Sequence, residues 1–84
     1  MLLEHDNILE DFVNLAPSVT LAGRVHVKKG AYIHTGASVI PNKTIGAHAI
    51  VGAGATVIED VPDDVTVVGT PAKIVVPEGR EAHQ

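Results

Sequence analysis

Residues 19–54 read VTLAGR (19–24), VHVKKG (25–30), AYIHTG (31–36), ASVIPN (37–42), KTIGAH (43–48) and AIVGAG (49–54). Set in sixes, the stretch puts a large aliphatic residue third in every block: Leu21, Val27, Ile33, Val39, Ile45 and Val51. The register extends outward, to Leu3, Leu9 and Leu15 on one side and Val57 on the other. Leu, Ile and Val fill 25 of 84 positions, so ten hits in ten steps would arise by chance with odds of about 5 × 10⁻⁶. Four places beyond these residues stand Asn7, Val13, Val19, Val25, Ala31, Ala37, Lys43, Ala49, Ala55 and Val61, all but two of them Ala or Val.

A helix repeats its apolar face every three to four residues, and a strand every two. A period of six with a large aliphatic and a small partner is the hexapeptide pattern of a parallel β-helix. Each hexad supplies a short strand and a corner, and three hexads close a triangular coil. Coils then stack at the strand spacing, roughly 4.8 Å. The fold class is therefore all-β, a parallel β-helix of about three coils. The ten aliphatics are expected to point inward in three columns: Leu3, Leu21, Val39 and Val57; Leu9, Val27 and Ile45; Leu15, Ile33 and Val51. Gly30, Gly36, Gly46, Gly52 and Gly54, with Asn42, are expected where corners need unusual backbone angles.

The repeat stops after Val57. An acidic, turn-rich loop follows, Glu59-Asp60-Val61-Pro62-Asp63-Asp64, then Val65 to Val68, Gly69-Thr70-Pro71-Ala72-Lys73 and Ile74-Val75-Val76. This tail is expected to form a C-terminal cap over the last coil. Residues 1–76 then make one domain, and 77–84 a frayed tail.

Apolar residues are 45% of the chain, but the only rings among Phe, Tyr and Trp are Phe12 and Tyr32. The core must be built of aliphatics in narrow, regular layers. With no cysteine, neither a disulfide framework nor a thiolate metal site is open to it. No apolar run has transmembrane length and no signal-peptide pattern opens the chain, so a cytoplasmic protein without membrane contact is expected. The acidic balance and two aromatics argue against a nucleic-acid partner. The acids lie at the ends, while Arg24, Lys28, Lys29 and Lys43 occupy a middle without acids. That middle suits an anionic ligand or a set of solvated turns. A thin core and flat prism faces predict a homo-oligomer.

The segment from Glu4-His5-Asp6 through Asp11-Phe12-Val13-Asn14-Leu15-Ala16-Pro17 resembles hexapeptide-repeat acyltransferases, in the sugar acetyltransferase branch of the sialic acid O-acetyltransferase type. Ala22-Gly23, Pro41-Asn42, Thr44-Ile45-Gly46, Ile50 to Ala55 and Gly69-Thr70-Pro71-Ala72-Lys73 continue the likeness. It implies a left-handed β-helix and a homotrimer with acetyl-CoA in the groove between subunits. It also implies acetyl transfer to an amino or hydroxyl group of a sugar, free or nucleotide-linked in the family's manner, with no metal. His5 would be the general base and Asp6 its tuning carboxylate. Asn14, Thr35 and Ala53 would contact the cofactor, and Lys73, with Lys28 and Lys29 as further candidates, would meet its phosphates. The chemistry is consistent: the attacking group must lose a proton, and imidazole accepts one near neutral pH. Thr35 and Ala53 are eighteen apart and should stack in one line above Pro17. Asn14 stands where relatives often carry His; Glu10, Lys28 and His34 stand where Gly is usual. The chain opens at the catalytic motif, whereas the family's longer members place an acceptor-binding domain and further coils before it. Two other functions follow different premises. One is a truncated, inactive trimeric scaffold; the other is a zinc carbonic anhydrase-like protein, for which the five His lack the required spacing.

Overall fold

A computed structural model describes residues 2–3 and 6–75. Ten two-residue strands recur every six residues: β1 (Leu2–Leu3), β2 (Ile8–Leu9), β3 (Asn14–Leu15), β4 (Thr20–Leu21), β5 (His26–Val27), β6 (Tyr32–Ile33), β7 (Ser38–Val39), β8 (Thr44–Ile45), β9 (Ile50–Val51) and β10 (Thr56–Val57). Then come β11 (Thr66–Val68) and β12 (Lys73–Val75). The strands form three faces of a triangular prism. One has the order β1-β4-β7-β10, one β2-β5-β8, and one β12-β11-β9-β6-β3. Every pairing is parallel except β11 with β12. The fold is a left-handed parallel β-helix.

The three expected columns form. Leu3, Leu21, Val39 and Val57 are in backbone register, as are Leu9, Val27 and Ile45, and Leu15, Ile33 and Val51. Leu21, Val27, Ile33, Ile45 and Val51 are fully buried, and so are their small partners Val19, Val25, Ala31, Ala37, Ala49 and Ala55. Large residues on the strands and small ones beside the corners together fill the triangle. Leu9 departs from the expectation and is 41% exposed. It lies in the first coil, where β2 pairs with β5 on one side and with no described strand on the other. Leu15, in the same coil, is half-buried.

Each corner turns on one residue with positive φ, again every six: Asp6, Phe12, Ser18, Arg24, Gly30, Gly36, Asn42, His48 and Gly54. Gly46 and Gly52 are not among them, which corrects the sequence expectation. Their reason for being glycine is proximity. A Cβ on Gly46 would lie 2.5 Å from the backbone of Pro62 and Asp63, and one on Gly52 would lie 2.8 Å from Val68 Cγ1.

After Val57 the chain completes a shortened coil. Val61 bridges to Ile45 and Val67 to Val51, each sixteen residues on, where earlier coils advance eighteen. Asp60 and Asp63 make the short turn workable. Their carboxylates accept from the backbone N–H of Thr44 (2.9 Å) and of Ala47 (2.8 Å). The β11–β12 hairpin then closes the C-terminal cap, with Ala72 packed against the core.

Candidate active site

Three vertical corners separate the faces. The first carries Asp6, Arg24 and Asn42; the second Phe12, Gly30 and His48; the third Ser18, Gly36 and Gly54. At the third corner the Gly36 N–H donates to the Pro17 carbonyl (3.2 Å) and the Gly54 N–H to that of Thr35 (2.9 Å). Pro17, Thr35 and Ala53 therefore stack in one line, as their spacing predicts, and all three are exposed. A Cβ added to Gly54 would meet nothing within 4 Å. The corner is an open strip of backbone and short side chains, suited to a long, narrow ligand.

Lys73 stands at the top of this strip. It pairs with Val68, which continues the column of Gly52, the neighbour of Ala53. The turn between them leans onto the four-stranded face: Thr56 N–H donates to Gly69 O (3.0 Å) and Ala72 N–H to Thr56 O (2.8 Å). Asn14 is not with these residues. It sits on the outermost strand at the opposite end of the five-stranded face, four strand spacings or roughly 19 Å from Lys73. A cavity of about 280 Å³ opens over the last coil between the acidic loop and the hairpin. Lys73 borders it, but Thr35 and Ala53 do not.

Asp6 lies at the first corner, so one chain does not bring it to the strip. His5 lies outside the described residues. Above Asp6 the Arg24 Nε–H donates to Asn42 Oδ1 (2.7 Å), and next to it Asn7 Oδ1 accepts from the Val25 N–H (2.9 Å). Lys28 and Lys29 flank the second corner, away from the strip. There Glu10 contacts His26 Nε2 at 2.5 Å and accepts from the Lys29 N–H (3.1 Å). The His26 hydrogen bond, helped by the Lys29 amide and the His26 and Lys28 charges against some desolvation, holds the Glu10 carboxyl below its ordinary value. Among the described residues no three His, Cys, Asp or Glu gather as a metal site, and no helix is long and apolar enough to cross a membrane.

One pair was missed in the sequence. Tyr32 and His34 stack on the outer surface of the five-stranded face, ring centroids 4.2 Å apart and planes 12° from parallel. Their spacing of two, across β6 and the residue that follows it, was the available signal, since such residues share a face of extended chain.

No family model matches the chain. It is similar to a curated serine acetyltransferase from Buchnera aphidicola subsp. Acyrthosiphon pisum, 42% identical over 76 residues, covering 80% of this chain and 28% of that protein. Among solved structures it resembles a mutant perosamine N-acetyltransferase from Caulobacter crescentus in complex with CoA and GDP-perosamine. The TM-score is 0.85 and the identity 47%, over 86% of this chain and 34% of the other. It also resembles the serine acetyltransferase of Brucella abortus strain S19 in complex with coenzyme A, with TM-score 0.87 and 30% identity over 94% of this chain and 35% of the other. All three of these similar proteins are acetyltransferases. The chain spans about a third of the length of the proteins it matches.

Proposed function

We propose that this chain is the cofactor-binding β-helix of an acetyltransferase that moves an acetyl group from acetyl-CoA to an amino or hydroxyl group. The observation that carries this is the third-corner strip of Pro17, Thr35 and Ala53 leading up to Lys73. It occurs in a fold whose similar structures are described with CoA bound. Pantetheine would lie along the strip, with the Lys73 ammonium meeting phosphate. Asp6 stands at another corner, so a neighbouring copy must bring its first corner to this strip. A homotrimer with three such grooves meets that requirement, and Asn14 would reach the same groove from the five-stranded face. His5 then accepts the proton of the attacking amine or hydroxyl, and Asp6 orients the imidazole and stabilises its charged form. The amine or hydroxyl bonds to the thioester carbonyl carbon, and the C–S bond breaks to release CoA thiol.

For the acceptor, an amino sugar, free or nucleotide-linked, is the first choice, since the solved structure with the higher sequence identity, 47% against 30%, holds GDP-perosamine. A serine hydroxyl is the second, since the curated relatives are serine acetyltransferases. The test is calorimetric titration with acetyl-CoA beside transfer assays offering nucleotide-linked amino sugars and L-serine. His5→Ala should lower transfer about 10²–10⁴-fold and leave acetyl-CoA affinity nearly intact. A parent protein that binds no acetyl-CoA refutes the enzyme and leaves an inactive trimeric scaffold.

A further inference from the structure

We propose that His34, braced by Tyr32, positions the pantetheine arm of the acyl donor along the third-corner strip. This rests on the cofactor strip proposed above. His34 immediately precedes Thr35 and is half-buried on the outer surface of the five-stranded face, at the margin of the strip. Its column contains Ala16 below and Gly52 above. Neither projects beyond a methyl group, so His34 is the side chain that forms the wall of the strip at this level. Tyr32 lies two residues back, in β6, and stacks on the imidazole with ring centroids 4.2 Å apart. The stack covers one ring face and leaves the other toward the corner. It also removes rotamer freedom before any ligand arrives, which lowers the entropy lost on binding.

The imidazole nitrogens make no hydrogen bond among the described residues, and neither is a buried atom lacking a partner. An imidazole offers one donor and one acceptor in its neutral form. Pantetheine carries two amide groups and one hydroxyl along its arm, so a single ring beside the strip can pair with one of the amides. The nucleotide end of the cofactor lies up the strip toward Lys73, beyond the reach of His34.

The experiment titrates the parent chain and the variants His34→Phe, His34→Gly and Tyr32→Leu with three ligands: acetyl-CoA, S-acetylpantetheine and 3′,5′-ADP. His34→Phe keeps a stacked ring without nitrogens, and therefore separates hydrogen bonding from packing. Loss of one neutral hydrogen bond corresponds to about threefold to tenfold in affinity. Both His34 variants should weaken acetyl-CoA and S-acetylpantetheine by that factor and leave 3′,5′-ADP unchanged, with Tyr32→Leu between them and the parent. Equal weakening of all three ligands would mean that His34 merely supports the fold, and overturns the proposal. Undiminished acetyl-CoA binding in both His34 variants overturns it too, while the strip itself stands. A parent that binds none of the three removes the strip and this inference together.

Discussion

Gly46→Ala and Gly36→Ala should differ sharply in cost, although both replace a glycine by the same residue in the same repeat. At Gly46 the backbone is ordinary, but the added Cβ would stand 2.5 Å from Pro62 C and Asp63 N. An ordinary contact begins near 3.4 Å, so rigid backbone must move by close to 1 Å. Overpacking of this kind costs typically 1–3 kcal/mol. The segment that must move is held by Gly46 N–H to Val61 O at 2.7 Å and Ala47 N–H to Asp63 Oδ1 at 2.8 Å. Losing either adds about 1 kcal/mol, which puts Gly46→Ala at roughly 2–4 kcal/mol. At Gly36 the nearest atoms to a Cβ are Gly54 backbone at 4.0 Å, so nothing clashes. The cost there is the positive φ of 75°, about 1–2 kcal/mol. Reduced freedom of the unfolded chain offsets about 0.4–1 kcal/mol. Urea unfolding of both variants at matched protein concentration measures the difference. If Gly36→Ala costs as much as Gly46→Ala, the shortened last coil is not packed against Gly46 and this account of its glycine fails.

Ile33→Ala removes a fully buried side chain between Leu15 and Val51 and should cost roughly 2–5 kcal/mol; Leu9→Ala, at a 41% exposed site, should cost less than half as much in the same unfolding series. Ala53→Leu should abolish acetyl-CoA binding by blocking the strip, while circular dichroism stays that of the parent. Glu10 has a depressed carboxyl, so its contribution is present above the ordinary carboxylate range and disappears as pH falls through the depressed value. Thermal melts of Glu10→Gln should therefore trail the parent at neutral pH and converge with it once the pH has fallen below the depressed value. Light scattering should report a trimer at micromolar concentration, and a folded monomer would remove the neighbour that the Asp6 corner needs.

The columns were legible because an inward position recurs once in six residues and admits few residue types. Their partners across coils followed directly, down to Leu21 over Leu3 and Val51 over Ile33. Corners were legible only in part. Gly30, Gly36, Gly54 and Asn42 advertise positive φ, but Phe12, Arg24 and His48 adopt it as well, and nothing in a Phe or Arg announces that. Position in the period was the better guide than residue type. Gly46 and Gly52 misled because their cause lies one coil on, in the Pro62–Asp63 backbone after the shortened turn and in the Val68 side chain of β11. That shortening comes from Asp60 and Asp63 replacing backbone acceptors, which no periodicity displays. In the site, Thr35 and Ala53 could be aligned from spacing alone. Asn14 and Lys73 could not be placed, because the hairpin sets where Lys73 falls.

The sixteen-residue last coil bears on how such a chain tolerates changes in length. Within the regular coils, deleting one residue would turn every downstream inward side chain toward solvent until the register recovers. Deleting six would keep the inward positions inward but carry each later face one-third of a turn around the prism, moving Ala53 from the corner of Thr35 to another. Only a loss or gain of eighteen leaves both register and facing intact. The turn from Val57 to Val61 escapes this grammar because two aspartate side chains make up the backbone bonds that a shorter path forgoes. Length variation should therefore accumulate in whole coils below Val57, and in single residues only where a side chain can stand in for the missing peptide group.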